Sequence, residues 1–405
     1  MPLRRREAAR MKREGYLPAA DLLRVLCIGL IGWYHFWQLS WLDPSFDLFG
    51  RHFDWQHVIR NGYMLVDMLL LLSGFLLALP WARWGQGRGE KPDAAVFYKK
   101  RAVRILPSYL FAIFAVFFAW ALPTGQYASA GDALRDLLSH LTFTHNLFRA
   151  TLYNSHLPGV LWTLAVEVQF YAVFPLLGRL YARRPALVCG TMTAAALVCR
   201  ALAVRYGDLS FLVNQLPLLL DVYAAGMLAA WFFARLEHAG LRRRWPFALL
   251  AVLCLCCILQ ILYLQIITGG DQIKRMQLVW RLPMAVFGAL FLLFGSLAPR
   301  GVLRATGNPV TRFLSGVSYN FYIWHQFLAR RLVDWHIPAY TAELPNQAYE
   351  QPWQSRYMLV CVLTALLAAA AATYGIEKPA SRLLSARTGR EPPRAVTPTG
   401  QARRP

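Results

Sequence analysis

The chain has 405 residues, 57% of them hydrophobic and only 16% charged, with a formal net charge of +22. That composition excludes an ordinary soluble domain of this size. The positive charge is gathered in short stretches between apolar runs, which argues against a nucleic-acid partner and for a multi-pass protein in a lipid bilayer.

Apolar runs fall near residues 20–42, 58–80, 105–123, 157–178, 186–203, 211–234, 246–268, 278–298, 313–333 and 356–376. Each approaches the ~20 residues that cross a ~30 Å hydrocarbon core, which predicts an all-α, polytopic bundle of about ten transmembrane helices. With the N-terminus in the cytoplasm, 31 of the 43 Lys and Arg lie on that side or at its boundary. This positive-inside asymmetry predicts that both termini are cytoplasmic. One membrane domain over 20–379 is expected, between a basic N-terminal segment 1–19 and a tail 380–405. Met1–Glu14 and Arg387–Pro405 hold too little apolar surface to offset the entropy of ordering, so both are expected to be disordered. No A-x-A-like site follows the first run, which reads as a signal anchor. Two exterior loops, Pro123–His156 and Asp334–Ser355, are long enough to carry structure, and the other connections look short. All seven cysteines lie in apolar spans and no CxxC pair occurs. Buried thiols are expected, with no support for a disulfide framework or a metal site.

Ionisable residues inside these spans carry the functional signal, because a charge at bilayer depth is costly unless it faces protein or a watery cavity. In the first run, Arg24 and His35 stand eleven residues apart, about 16 Å along a helix and on nearly the same face. Asp67 follows in the second run, just ahead of Ser73-Gly74, a pair suited to close helix packing. At the start of the third, Arg101 and Arg104 share one face, and their guanidinium forks suit phosphate. Glu167 falls about halfway down the fourth run, at a depth similar to His35. Asp221 and His325 lie in the sixth and ninth runs, and their partners cannot be assigned from spacing. A serine-nucleophile reading of Ser73 or Ser318 lacks a G-x-S-x-G context.

The depths predict layers: cations at the cytoplasmic mouth (Arg24, Arg101, Arg104), then an imidazole and a carboxylate near mid-membrane (His35, Glu167). A phosphate-bearing donor would meet the first layer and present its reactive end to the second. There a neutral His paired with a carboxylate would serve as general base for a hydroxyl. Buried His and carboxylates also build proton relays, so a proton-coupled transporter is the alternative of a different class.

Six motifs in order resemble the acyltransferase-3 family of integral membrane O-acyltransferases. They are Asp21-Leu22-Leu23-Arg24 with His35; Val66–Phe75, with Leu69 and Leu70 where the family has two Phe; Arg101, Arg104, Ile105, Pro107 and Tyr109; Trp162, Thr163, Glu167, Gln169, Phe170, Tyr171 and Pro175; Ser318, Tyr319, Tyr322 and His325; and Ile376–Pro379. The resemblance implies transfer of an acyl group, most often acetyl, from cytoplasmic acyl-CoA to a hydroxyl of a glycan or related acceptor in a cell inner membrane. It implies His35 as the catalytic residue with Glu167 in support, and a donor path along Arg24, Arg101 and Arg104. Asp67, Trp162, Gln169, Tyr171, Tyr319 and His325 are then expected to bind substrate or support the centre. Within the same chemistry, a succinyl or longer acyl group and a small-molecule or lipid acceptor remain open.

Overall fold

A computed structural model describes residues 16–241 and 244–386. The ends expected to be disordered, Met1–Glu14 and Arg387–Pro405, lie outside these described residues. Positions 380–386, expected in the tail, instead belong to the helix Lys378–Ala386, whose Ser381 hydroxyl donates to the Val103 carbonyl at 3.1 Å.

The long helices are α1 (Pro18–Ser40), α2 (Leu65–Gly85), α3 (Ala94–Val116), the exterior α4 (Ala130–Leu141), α5 (Trp162–Arg183), α6 (Pro185–Tyr206), α7 (Leu220–His238), α8 (Trp245–Gly269), α9 (Ile273–Leu297), α10 (Pro309–Asp334) and α11 (Trp353–Ala372). Their starts carry local signals. Pro18, Pro185 and Pro309 occupy first-turn positions where a missing N–H costs nothing. Asp93 and Asn308 cap α3 and α10 through the amides of Val96 and Thr311, at 2.8 and 2.9 Å. Eight helical segments are long and apolar enough to cross a membrane. One of them, Trp245–Leu297, is 53 residues long and folds as α8 and α9 around Gly270, whose φ of +40° suits glycine. Helix α10, the expected ninth span, is not among the eight; Ser315, Ser318, Asn320, His325 and Gln326 make it too polar by hydropathy alone.

Helix α2 is central and packs most extensively on α7, with α1, α5 and α9 also against it. The close crossing depends on two glycines. A Cβ on Gly226 would sit 2.1 Å from the Leu71 carbonyl oxygen, and one on Gly74 would sit 2.6 Å from that of Tyr223. Both helices can therefore approach backbone to backbone, as small residues allow in membranes. Beside this crossing lies a buried polar knot. Arg281 on α9 donates through Nε to Asp67 on α2 at 2.8 Å and through Nη1 to the Val213 carbonyl at 2.9 Å. Arg200 on α6 donates to the Leu218 carbonyl at 3.0 and 2.7 Å and to Asp221 on α7. The knot supplies the partners of Asp67 and Asp221, and ties four helices.

The all-α expectation holds for the bundle, to which an antiparallel hairpin, β1 (Ser45–Leu48) and β2 (Arg51–Asp54), is added in the first exterior connection. Phe46 stacks on Phe53 with centroids 5.6 Å apart, and the two-residue Phe49-Gly50 turn has positive φ at both positions, as a tight hairpin requires. That connection is thus not a bare link. The buried-thiol expectation holds for Cys27, Cys189, Cys254 and Cys361 but not for the half-buried Cys199 and Cys257 or for Cys256, which is exposed on the outside of α8.

The exterior segment between α3 and α5 is packed. Ser129 caps α4 through the Asp132 amide at 3.1 Å. Asp136 accepts from the Tyr127 hydroxyl at 2.8 Å, and the rings of His140 and His145 stack 3.8 Å apart.

Candidate active site

Two cavities with charged residues in their walls follow one another along α1, one at Arg24 and Ile28 and the other from Ile31 to Gln38. The first, about 110 Å³, is lined by Arg24, Arg101, Arg104, Glu167, Tyr171 and Tyr319 among others. The second, about 260 Å³, is lined by His35, Asp67, Trp162, Lys274 and Gln277 among others. Arg24 and Gln38, which line one each, are fourteen residues apart on α1, or about 21 Å. Val66 and Tyr322 line both cavities and divide them.

In the first cavity, the i,i+3 spacing of Arg101 and Arg104 brings both guanidinium groups to one side of α3. Arg24 on α1 completes the cationic wall. Arg24 is held by a triangle, donating to Asp21 at 3.3 Å and to the Ser315 hydroxyl at 3.1 Å, while Ser315 donates to Asp21 at 2.6 Å. Arg101 lies 5.6 Å from the ring centre of Tyr171, and its buried Nε has no hydrogen-bond partner. Glu167 accepts from the Ser73 hydroxyl at 2.6 Å and from the Tyr171 hydroxyl. Three guanidinium groups face one carboxylate in this wall, so the cavity favours an anion. Ser73 is thereby engaged as a donor to Glu167, a role unlike that of a nucleophile.

The surroundings of His35 correct the sequence reading. Its partner is not Glu167, which lines the other cavity, but His325: the two rings stack with centroids 5.0 Å apart and His35 Nδ1 lies 2.8 Å from His325 Nε2. The proton positions follow from the network. His325 Nδ1 lies 2.9 Å from the Tyr322 carbonyl and 3.1 Å from that of Phe321. Carbonyl oxygens only accept, so Nδ1 carries the proton and the Nε2 of neutral His325 is an acceptor. His35 Nδ1 must then be the donor, which leaves His35 Nε2 with a free lone pair. A second imidazole, itself fixed by backbone, thus holds the first in a basic tautomer. Spacing could not find this, because Glu167 and His325 reach similar depths on different helices.

Of the other expected residues, Asp67 and Trp162 line the His35 cavity, while Tyr171 and Tyr319 line the arginine cavity. Gln169 lines neither; its amide donates to the Phe143 carbonyl at 3.1 Å and to Asn146 at 2.8 Å, so it pins the exterior segment. Sequence reasoning passed over Tyr322 as a divider and Lys274 and Gln277 as cavity walls. Tyr322 was noted only as a motif member, and Lys274 and Gln277 stand at the start of α9, where a polar boundary is ordinary and gives no sign of a cavity.

Comparison with known proteins places the chain in a family. The family described as an acyltransferase domain matches residues 17–374. ORF330 of Acidianus two-tailed virus, provisionally named an acetyltransferase, is 23% identical over 325 residues, 79% of this chain and 86% of that one. Exopolysaccharide production protein ExoZ of Rhizobium meliloti (strain 1021) is 27% identical over 278 residues, 67% of this chain and 78% of its own length. O-acetyltransferase OatA of Staphylococcus aureus (strain NCTC 8325 / PS 47) is 27% identical over 173 residues, 41% of this chain and 25% of that longer protein. No solved structure matches the chain.

Proposed function

Because the chain belongs to the acyltransferase-3 family and is a multi-pass membrane acyltransferase, we propose that it transfers an acetyl group from cytoplasmic acetyl-CoA to a hydroxyl of a glycan, with His35 as general base. The observation that carries this reading is the His35–His325 pair at 2.8 Å, with His35 in the wall of the second cavity, which adjoins the anion-favouring one at Val66 and Tyr322. The donor's phosphates engage Arg24, Arg101 and Arg104, and its thioester reaches toward Tyr322. The acceptor occupies the other cavity. His35 Nε2 takes the hydroxyl proton as the new C–O bond forms. The tetrahedral adduct then collapses, its C–S bond breaks, and the departing thiolate receives that proton. His325, donating to two carbonyls, steadies the imidazolium between the two steps. Glu167 acts at a distance from the reacting atoms, by fixing the arginine wall through Ser73 and Tyr171.

We take the eight apolar segments, one of them as two helices, and add α10 as a further span, for ten crossings. An even number puts both termini on one face, and the Lys and Arg distribution makes that face cytoplasmic, as in an inner membrane.

Purified protein in detergent with radiolabelled acetyl-CoA and a surface-glycan extract tests the proposal. Wild-type protein should label the glycan fraction, and His35→Ala should lower that rate by at least about a hundredfold with unchanged expression. Near wild-type turnover in His35→Ala would overturn the assignment.

A further inference from the structure

Resting on the acyltransferase reading, we propose that the acceptor is an acidic sugar, carrying a carboxylate or phosphate that Lys274 holds in the cavity beside His35. The ionisable groups that face this cavity are the neutral His35 and the charged Asp67 and Lys274. Asp67 is cancelled within the protein, since Arg281 donates to it at 2.8 Å with both side chains buried. Lys274 has no such counterpart. It is half-buried, its ammonium lies 5.6 Å from the ring centre of Tyr63, and no ion pair ties it to a carboxylate among the described residues. The net charge of the cavity wall is therefore that of one ammonium, and a partly desolvated cation is costly until an anion meets it.

A second observation points the same way. Gln277 is only 4% exposed and lines the same cavity, yet its side-chain carbonyl oxygen receives no hydrogen bond. A buried acceptor without a donor is rare in folded proteins, and a ligand hydroxyl supplies one. The remaining wall combines the aromatic rings of Tyr34 and Trp162 with the amides of Gln38, Asn214 and Gln326. Flat aromatic faces with several amides suit a polyhydroxylated ring better than an aliphatic chain. The anion site is also near the base. Tyr34 lies 5.1 Å from the His35 ring and 5.5 Å from Tyr63, the ring beneath Lys274.

The test fractionates a surface-glycan extract on an anion exchanger and assays each fraction for acetyl acceptance from labelled acetyl-CoA. Acceptor activity should reside in the bound, acidic fraction. Carbodiimide–borohydride reduction of carboxylates should abolish it if the anion is a uronate, and dephosphorylation should do so if it is a phosphate. Lys274→Gln should raise KM for the acidic fraction by about tenfold or more without changing KM for acetyl-CoA, and Lys274→Arg should restore most of the difference. Acceptance confined to the unbound neutral fraction, or an unaltered KM in a monodisperse Lys274→Gln protein, would overturn the inference while leaving the transferase reading intact. No acceptance in any fraction by folded wild-type protein would defeat the transferase reading, and this inference with it.

Discussion

At the scale of single residues, the chemistry open to His35 depends on which atoms of His325 carry protons. Because the Phe321 and Tyr322 carbonyls fix His325 Nδ1 as a donor, His325→Ala should leave His35 free to adopt the wrong tautomer. The expected result is a fall in kcat of about a hundredfold with little change in KM for acetyl-CoA, read by steady-state kinetics; an unaltered kcat would remove His325 from the mechanism. Glu167 predicts the opposite split. Tyr171→Phe and Ser73→Ala each delete one hydrogen bond to its carboxylate, and should raise KM for acetyl-CoA several-fold while kcat moves less. The arginines and His35 were legible in the sequence because spacing on one helix is a local property. The His35–His325 pair was not, since contact between α1 and α10 is set by the packing of the bundle. The same limit hid Arg281 as the partner of Asp67.

At the scale of elements, the α2–α7 crossing and the polar knot beside it are where stability concentrates. Arg281→Met strands the Asp67 carboxylate in the interior and should cost roughly 3–5 kcal/mol, whereas Asp67→Leu combined with Arg281→Met should recover much of that loss. Thermal unfolding in detergent measures both, and equal destabilisation by the single and double variants would contradict the account. The exterior segment carries a pH dependence. Burial, with His140 stacked 3.8 Å away, holds His145 well below the ordinary histidine value of 6.5, at about 3. Between those values the folded segment binds fewer protons than the unfolded chain. Its stability is therefore complete above 6.5 and is lost as pH falls toward 3, by at most about 1.4 kcal/mol per pH unit. Hydrogen-exchange protection factors across 127–156 should fall on acidification through this window, and pH-independent protection would refute it. The helices were legible from apolar length, including α10, although its polar residues keep it out of the segments apolar enough to cross by hydropathy alone. The hairpin was missed because its Phe49-Gly50 turn is not one of the usual Asn-Gly or Asp-Gly signals.

At the scale of the whole molecule, the helical bundle brings together two cavities that follow one another along α1 and share only Val66 and Tyr322 in their linings. The sequence indicated the layers but placed imidazole and carboxylate in one chamber. Depth along the bundle can be counted from residue number, whereas division across it depends on the side chains that fill the middle. The central claim is that donor and acceptor approach His35 from opposite faces. Proteoliposomes with labelled acetyl-CoA outside and the glycan acceptor fraction sealed inside test it most directly. Acetyl transfer should occur in that arrangement and should be absent when both substrates share the outer compartment of vesicles with an empty lumen. Equal transfer with both substrates on one face would contradict a reaction carried across the membrane.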